Sequence, residues 1–303
     1  HIFLHGLGGK VNLVRAKELF QRACDSGSTT GCHNLAWLYQ TGPEGFSDPQ
    51  KALHYYSLAC EKNNMHACHS RAWMLQTGKG GRRDNATAHA LYRKACLGGD
   101  IDSCYNLGWM LARGDLGSPD PAGALRYYRK ACLGGHGGAC RSMGWAHQYG
   151  KGTPKNLHLA GNWYERACSL KEFKACAVLA WMYASGSLGP KDRSKASPLY
   201  QKACDGGVLD SCRRLADLRK KTATRSEDWK LIRTLYSRAC QEGKDAYACA
   251  NAGYLCQQGK GGVKDIPQAV RLYSRACQAK NAWACFNLGW IHQFGLLDRV
   301  AHP

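Results

Sequence analysis

Two interleaved series of cysteines restrict the folds open to this chain more than any other feature. One series is Cys24, Cys60, Cys96, Cys132, Cys168, Cys204, Cys240 and Cys277, and the other is Cys32, Cys68, Cys104, Cys140, Cys176, Cys212, Cys249 and Cys285. The period is 36 residues, slipping once to 37, and it absorbs sixteen of the seventeen cysteines. Cys256 alone stands outside it. An internal period of this length marks a repeat array, in which each unit is one supersecondary element that stacks on its neighbours.

Other residues keep the same beat. Before every first-series cysteine stands Ala, and four positions before it an aromatic: Phe20, Tyr56, Tyr92, Tyr128, Tyr164, Tyr200, Tyr236 or Tyr273. Eight before it is Ala, except at Ile232. Small or apolar residues at i, i+4, i+7 and i+8 predict an amphipathic helix. Twelve before the cysteine comes Asn12, Asp48, Asp84, Asp120, Asn156, Asp192, Asp228 or Asp265, an acceptor for the free amides of a first helical turn. Pro49 and Pro121 follow two of these caps, where a missing N–H costs nothing. One helix of each repeat therefore runs from cap to cysteine.

The other helix begins near the second cysteine. Five residues on stands Trp37, Trp73, Trp109, Trp145, Trp181 or Trp290, with Asp217 and Tyr254 as departures, and these six tryptophans are expected in the core. Ala or Gly precedes each, allowing a neighbouring helix close. Ten residues after the cysteine is Gly42, Gly78, Gly114, Gly150, Gly186, Gly259 or Gly295, with Thr222 as the exception, suited to the left-handed turn that ends a helix. The pattern predicts an all-α fold, an α/α solenoid of 36-residue helix-turn-helix repeats. It is expected to run as one array over 1–303, with a partial repeat at 1–26, full repeats at 27–62, 63–98, 99–134, 135–170, 171–206, 207–243 and 244–279, and a partial repeat at 280–303. The chain opens inside a repeat and closes inside another, with no start Met and no polar cap at either end, so it reads as a portion of a longer protein.

The fixed alanines, the Gly-Lys-Gly-Gly turns and strings such as Gly42-Pro43-Glu44-Gly45-Phe46-Ser47-Asp48 resemble TPR-related Sel1-like repeats over essentially the whole chain. The Ala-Cys signature, with a second cysteine after seven residues, resembles two cysteine-rich branches of that family. One is secreted and bacterial; the other is the Sel1-repeat cytochrome c oxidase assembly factor of the mitochondrial intermembrane space. Tyr55-Tyr56-Ser57-Leu58-Ala59-Cys60 and the Gly-x-x-Gly-Phe turn look closer to the mitochondrial branch. That resemblance implies a protein-binding assembly factor or accessory subunit of a respiratory complex. It also admits haem, although no residue singles itself out as a ligand.

In each pair the first cysteine ends one helix and the second opens the next, across a link short enough for a disulfide. Eight local staples are expected. Buried free thiols and zinc are the alternatives, zinc being disfavoured because successive pairs lie in separate layers. Cys256, seven residues after Cys249, reads as core filler, with a reactive thiol or an axial ligand as the sharper alternatives.

The net charge of +20 invites a polyanion partner. Basic residues stand two before the first cysteine in seven of eight repeats (Arg22, Lys94, Lys130, Arg166, Lys202, Arg238, Arg275), where they suit a helix C-terminus. With the aromatics assigned to the core, no row of base-stacking platforms is expected, so nucleic acid is disfavoured against an acidic protein surface or anionic lipid. One repeat departs from the rest: after Cys212 it loses its Trp and turn Gly and gathers Arg213, Arg214, Arg219, Lys220 and Lys221, a candidate docking patch for an acidic partner. With 44% hydrophobic and 21% charged residues the chain can bury a core, and no apolar run is long enough to span a bilayer. No nucleophile elbow, P-loop or His-Glu metal motif occurs, so a non-enzymatic scaffold is expected, and the resemblance implies the intermembrane space as its compartment. The alternatives are a secreted or periplasmic protein that binds peptides or cell-wall fragments, and a haem- or thiol-handling factor.

Overall fold

The structure, a computed structural model, describes residues 12–294, and among them it holds sixteen helices and no strand. The helices are α1 Leu13–Asp25, α2 Thr29–Thr41, α3 Pro49–Glu61, α4 Met65–Thr77, α5 Asn85–Leu97, α6 Ile101–Arg113, α7 Pro121–Leu133 and α8 Gly137–Tyr149, then α9 Leu157–Ser169, α10 Phe173–Ser185, α11 Arg193–Asp205, α12 Leu209–Lys220, α13 Ser226–Gln241, α14 Ala246–Gln258, α15 Ile266–Gln278 and α16 Ala282–Gln293. Contacts group the chain into two compact units, 1–156 and 157–303. The array is an α/α solenoid of disulfide-stapled helix pairs. Even-numbered helices carry the tryptophan series, and odd-numbered helices end on the first cysteine of each pair.

Caps explain where the helices start. Asn12, Asp48, Asp84, Asp120, Asp192 and Asp265 each accept from the amide three residues on. Asp228 does not cap in this way: α13 starts at Ser226, and Asp228 reaches back to the Arg225 amide at 3.0 Å. A second cap series, at Ser28, Asn64, Asp100, His136, Asp245 and Asn281, starts even-numbered helices three residues before the second cysteine. Its signal, a polar residue four before that cysteine, is in the sequence. Gly78, Gly114, Gly150, Gly186 and Gly259 end helices in the left-handed region. Gly42 does not, because a residue before proline is driven out of the helical regions, and it is extended at φ −63° and ψ 158°. It is glycine for room: a Cβ there would stand 2.5 Å from the Leu38 carbonyl oxygen. Gly295 lies outside the described residues.

Eight disulfides close the helix-to-helix links: Cys24–Cys32, Cys60–Cys68, Cys96–Cys104, Cys132–Cys140, Cys168–Cys176, Cys204–Cys212, Cys240–Cys249 and Cys277–Cys285. Their Cα atoms are 4.5–4.8 Å apart. Each link turns through one left-handed residue, glycine in four of them and Asn63, Lys171, Lys244 or Lys280 in the rest. The core is built on the tyrosines, of which Tyr56, Tyr92, Tyr236 and Tyr273 are fully buried. Tyr56, Tyr92 and Tyr273 donate their hydroxyls to Gln40, Gln76 and Gln257 of the preceding helix at 2.6–3.1 Å, so each ring is buried with its polar tip satisfied. A Cβ at Gly108 would stand 2.9 Å from the Tyr128 ring, so this position before Trp109 has no room for a side chain.

The repeated basic residue acts between repeats. Lys94 and Lys130 donate to the carbonyls of Cys60 and Cys96, at the C-terminal end of the corresponding helix one repeat earlier, at 3.0 and 2.8 Å. In the second unit Arg275 reaches the Gln241 carbonyl at 3.0 Å. Cations placed on helix-end carbonyls complement the negative end of the helix dipole. Lys130→Met should therefore cost about 1 kcal/mol in chemical denaturation, whereas Arg129→Met on the neighbouring exposed position should change little.

Candidate functional site

The tryptophans are not core. Trp37, Trp109, Trp145, Trp181 and Trp290 are 37–50% exposed and Trp73 is half-buried. The position that packs is the small residue before each, fully buried at Ala36, Ala72 and Ala180. One residue further along a helix is rotated by about 100°, which turns the indole away from the tyrosine layer and onto the surface. The expectation that no exposed aromatic row exists is overturned with it.

Cations share this face. Lys79 lies 4.6 Å from the Trp73 ring centroid, and Arg113 lies 4.2 Å from that of Trp109. In the first unit two clefts adjoin. One, of about 490 Å³, is lined by Trp73, Gln76, Arg83, Asn106 and Arg113; the other, of about 280 Å³, by Leu125, Tyr128, Arg141, Trp145 and Lys151. Tyr105 and Trp109 belong to both, and neither is lined by a carboxylate. In the second unit a cleft of about 290 Å³ holds Trp181, Lys191, Arg193 and Asp217, and another of about 470 Å³ holds Trp229, Tyr254, Lys260 and Trp283.

The irregular repeat places its basic residues unevenly. Arg213 is held by Asp210, by Asp217 at 3.3 Å and by Asp245 at 2.8 Å, while Arg214 pairs with Asp210. These two line the Trp181 cleft together with exposed Lys221, whereas Lys220 lines the Trp229 cleft and donates to Asn251 at 3.2 Å. Arg219 is half-buried and lines neither. Asp217 stands where other repeats have Trp and accepts the Tyr236 hydroxyl in place of the usual glutamine. The loss of the tryptophan is thus tied to an internal ion-pair network, and two of the five basic residues are spent on it.

A second polar cluster joins successive repeats in the first unit. Asp100, the cap of α6, accepts from the Ser103 amide at 2.7 Å and has His66 Nδ1 at 3.0 Å and His69 Nδ1 at 3.3 Å. Burial alone would push the Asp100 carboxyl up, but hydrogen bonds from His69 and Ser103 outweigh it and hold the group well below the usual carboxylate range. A depressed folded-state value means that the charge contributes stability above about pH 4, where the unfolded carboxyl ionises, and that this is lost as pH falls through the folded value. Asp100→Asn should cost about 1–2 kcal/mol near neutrality. In melts across pH the gap to the unmodified protein should narrow steadily below about pH 4.

Cys256 is a free thiol, fully buried beside Leu255 and Ala252. Burial pushes the thiol up, with Arg233 pulling partly the other way, so the reactive thiolate is disfavoured at neutral pH. Among the described residues, no cluster of three His, Cys, Asp or Glu side chains is arranged to hold a metal ion, and no helix is long and apolar enough to cross a membrane.

Stapled helix pairs presenting aromatic and basic side chains on the even-numbered helices define a repeat scaffold. The Sel1 repeat family matches residues 1–28, 29–64, 66–100, 101–136, 138–171, 173–208, 246–281 and 284–301, and the chain belongs to it. The unmatched stretch, 209–245, is the irregular repeat. Among solved structures, a Sel1 repeat protein from Oxalobacter formigenes has a TM-score of 0.71 at 21% identity, covering 93% of this chain and 80% of its own. A protective antigen of uropathogenic Escherichia coli, described as displaying an SLR fold, has a TM-score of 0.66 at 23% identity, covering 97% and 71%. Helicobacter pylori cysteine rich protein B is 30% identical over 46% of this chain and 100% of its own, with a TM-score of 0.37. No curated protein sequence matches the chain.

Proposed function

We propose that this protein is a non-catalytic, disulfide-hardened scaffold of a secreted or periplasmic compartment that binds a protein segment along its tryptophan-bearing helix face. The observation that carries this is the exposure of Trp37, Trp109, Trp145, Trp181 and Trp290 at one register of the even-numbered helices: large aromatics left in water at a fixed register are costly unless a partner covers them. Eight disulfides support an oxidising compartment, and the shared fold of a bacterial protein described as a protective antigen is in keeping with a secreted or periplasmic one. A respiratory-complex assembly factor of the intermembrane space would need the same stapled scaffold; its support is the likeness of the Tyr55–Cys60 segment and the Gly-Phe turn, and the leader of the full-length protein decides between the two. A photo-crosslinking p-benzoylphenylalanine at position 109, in the native source, should trap a protein partner that the same group at exposed position 129 does not. Equal trapping from both positions, or none from 109, overturns the reading.

A further inference from the structure

We infer that the two adjoining clefts between Trp73 and Trp145 take an acidic polypeptide segment bearing bulky apolar side chains. This deepens the protein-binding reading above and rests on it. The charge on this face is one-sided. Helices α2, α4, α6 and α8 together carry a single carboxylate, Asp102, which sits 3.7 Å from His136. Arg83, Arg113 and Lys151 line the clefts, and Asp115, nearly buried, lies 3.6 Å from Arg113. The remaining positive charge favours an anionic partner and speeds its arrival.

The shape of the cleft selects among anions. Between Trp109 and Trp145 the lining is Ala112, Ala124, Leu125, Tyr128 and Ala146, an apolar slot with cations at its rim. An apolar side chain entering it gains burial against two indoles, while a flanking carboxylate meets Lys151. A nucleic-acid base needs an open flat face, and one face of Trp109 is taken by the Arg113 guanidinium. Tyr105 and Trp109, shared by both clefts, make the site continuous along at least two repeats, which fits an extended chain better than a single small molecule.

The test is a fluorescence-anisotropy titration of the intact oxidised protein with four labelled probes of matched length: a glutamate–tyrosine copolymer, polyglutamate, oligothymidylate and oligogalacturonate. The copolymer should bind at least tenfold more tightly than each of the others. The double variant Trp109→Ala/Trp145→Ala should lose at least tenfold of that affinity, and Arg83→Glu/Lys151→Glu, which leaves the core untouched, should lose a similar factor and flatten the salt dependence. Equal binding of polyglutamate would reduce the site to bare charge and overturn the inference, as would preference for oligothymidylate or oligogalacturonate, absence of copolymer binding, or binding indifferent to the charge-reversal pair. A protein partner trapped from position 109 together with any of those results would leave the scaffold reading standing and remove the acidic-segment assignment alone.

Discussion

Replacing Cys96 and Cys104 together by alanine is expected to lower the unfolding free energy by about 2.6 kcal/mol, the chain entropy released when a loop of roughly nine residues is no longer closed. The two Cα atoms are 4.7 Å apart across the α5–α6 link, and both sulfurs are buried. The substitution leaves two alanines in a close-packed junction, and the lost constraint dominates. In a repeat array the effect should be local at first, because each repeat contacts only its neighbours. Hydrogen exchange should show α5 and α6 opening before distant helices, and full reduction should lower the denaturant midpoint well beyond any single pair. A Cys96/Cys104 variant as stable as the parent would show that the staples add nothing to the folded state.

The second large effect separates the two aromatic series. Tyr92 is fully buried and donates to Gln76 at 3.1 Å, so Tyr92→Ala should cost about 3–5 kcal/mol, from the lost ring, the cavity and the stranded glutamine oxygen. Trp145 is half exposed, and Trp145→Ala should change stability by less than about 1 kcal/mol despite removing the larger side chain. Chemical denaturation of the two variants in parallel decides the point. Equal losses would return the tryptophans to the core.

Much of this fold was legible because period and cap are local properties. The spacing of Cys24 and Cys32, the aspartates before α3, α5, α7, α11 and α15, and the tyrosines four before each cysteine follow from helical geometry and from the need to satisfy first-turn amides. The tryptophans were misread because a repeated register tells that a position matters without telling which way it points. Ala36 and Trp37 keep the same beat one residue apart, and only the packed structure shows that the alanine faces Tyr56 while the indole faces water. Gly42 was misread as left-handed because its neighbour Pro43 overrides the pattern set by Gly78 and Gly114. The Arg213 network needed Asp245, which lies 32 positions along the chain and reaches Arg213 only through stacking of successive repeats. Lys94 and Lys130 were legible as helix-end cations, but not that the helix end they serve belongs to the previous repeat.

Hydroxyl-radical footprinting of the oxidised protein, read residue by residue by mass spectrometry without reduction, tests the central claim that a stapled tyrosine core presents a tryptophan-bearing surface. Trp37, Trp109, Trp145, Trp181 and Trp290 should be oxidised at rates typical of exposed indoles while Tyr56, Tyr92, Tyr236 and Tyr273 stay protected, with each cysteine pair recovered as a linked peptide. Protected tryptophans, or tyrosines oxidised at the same rate, would contradict it.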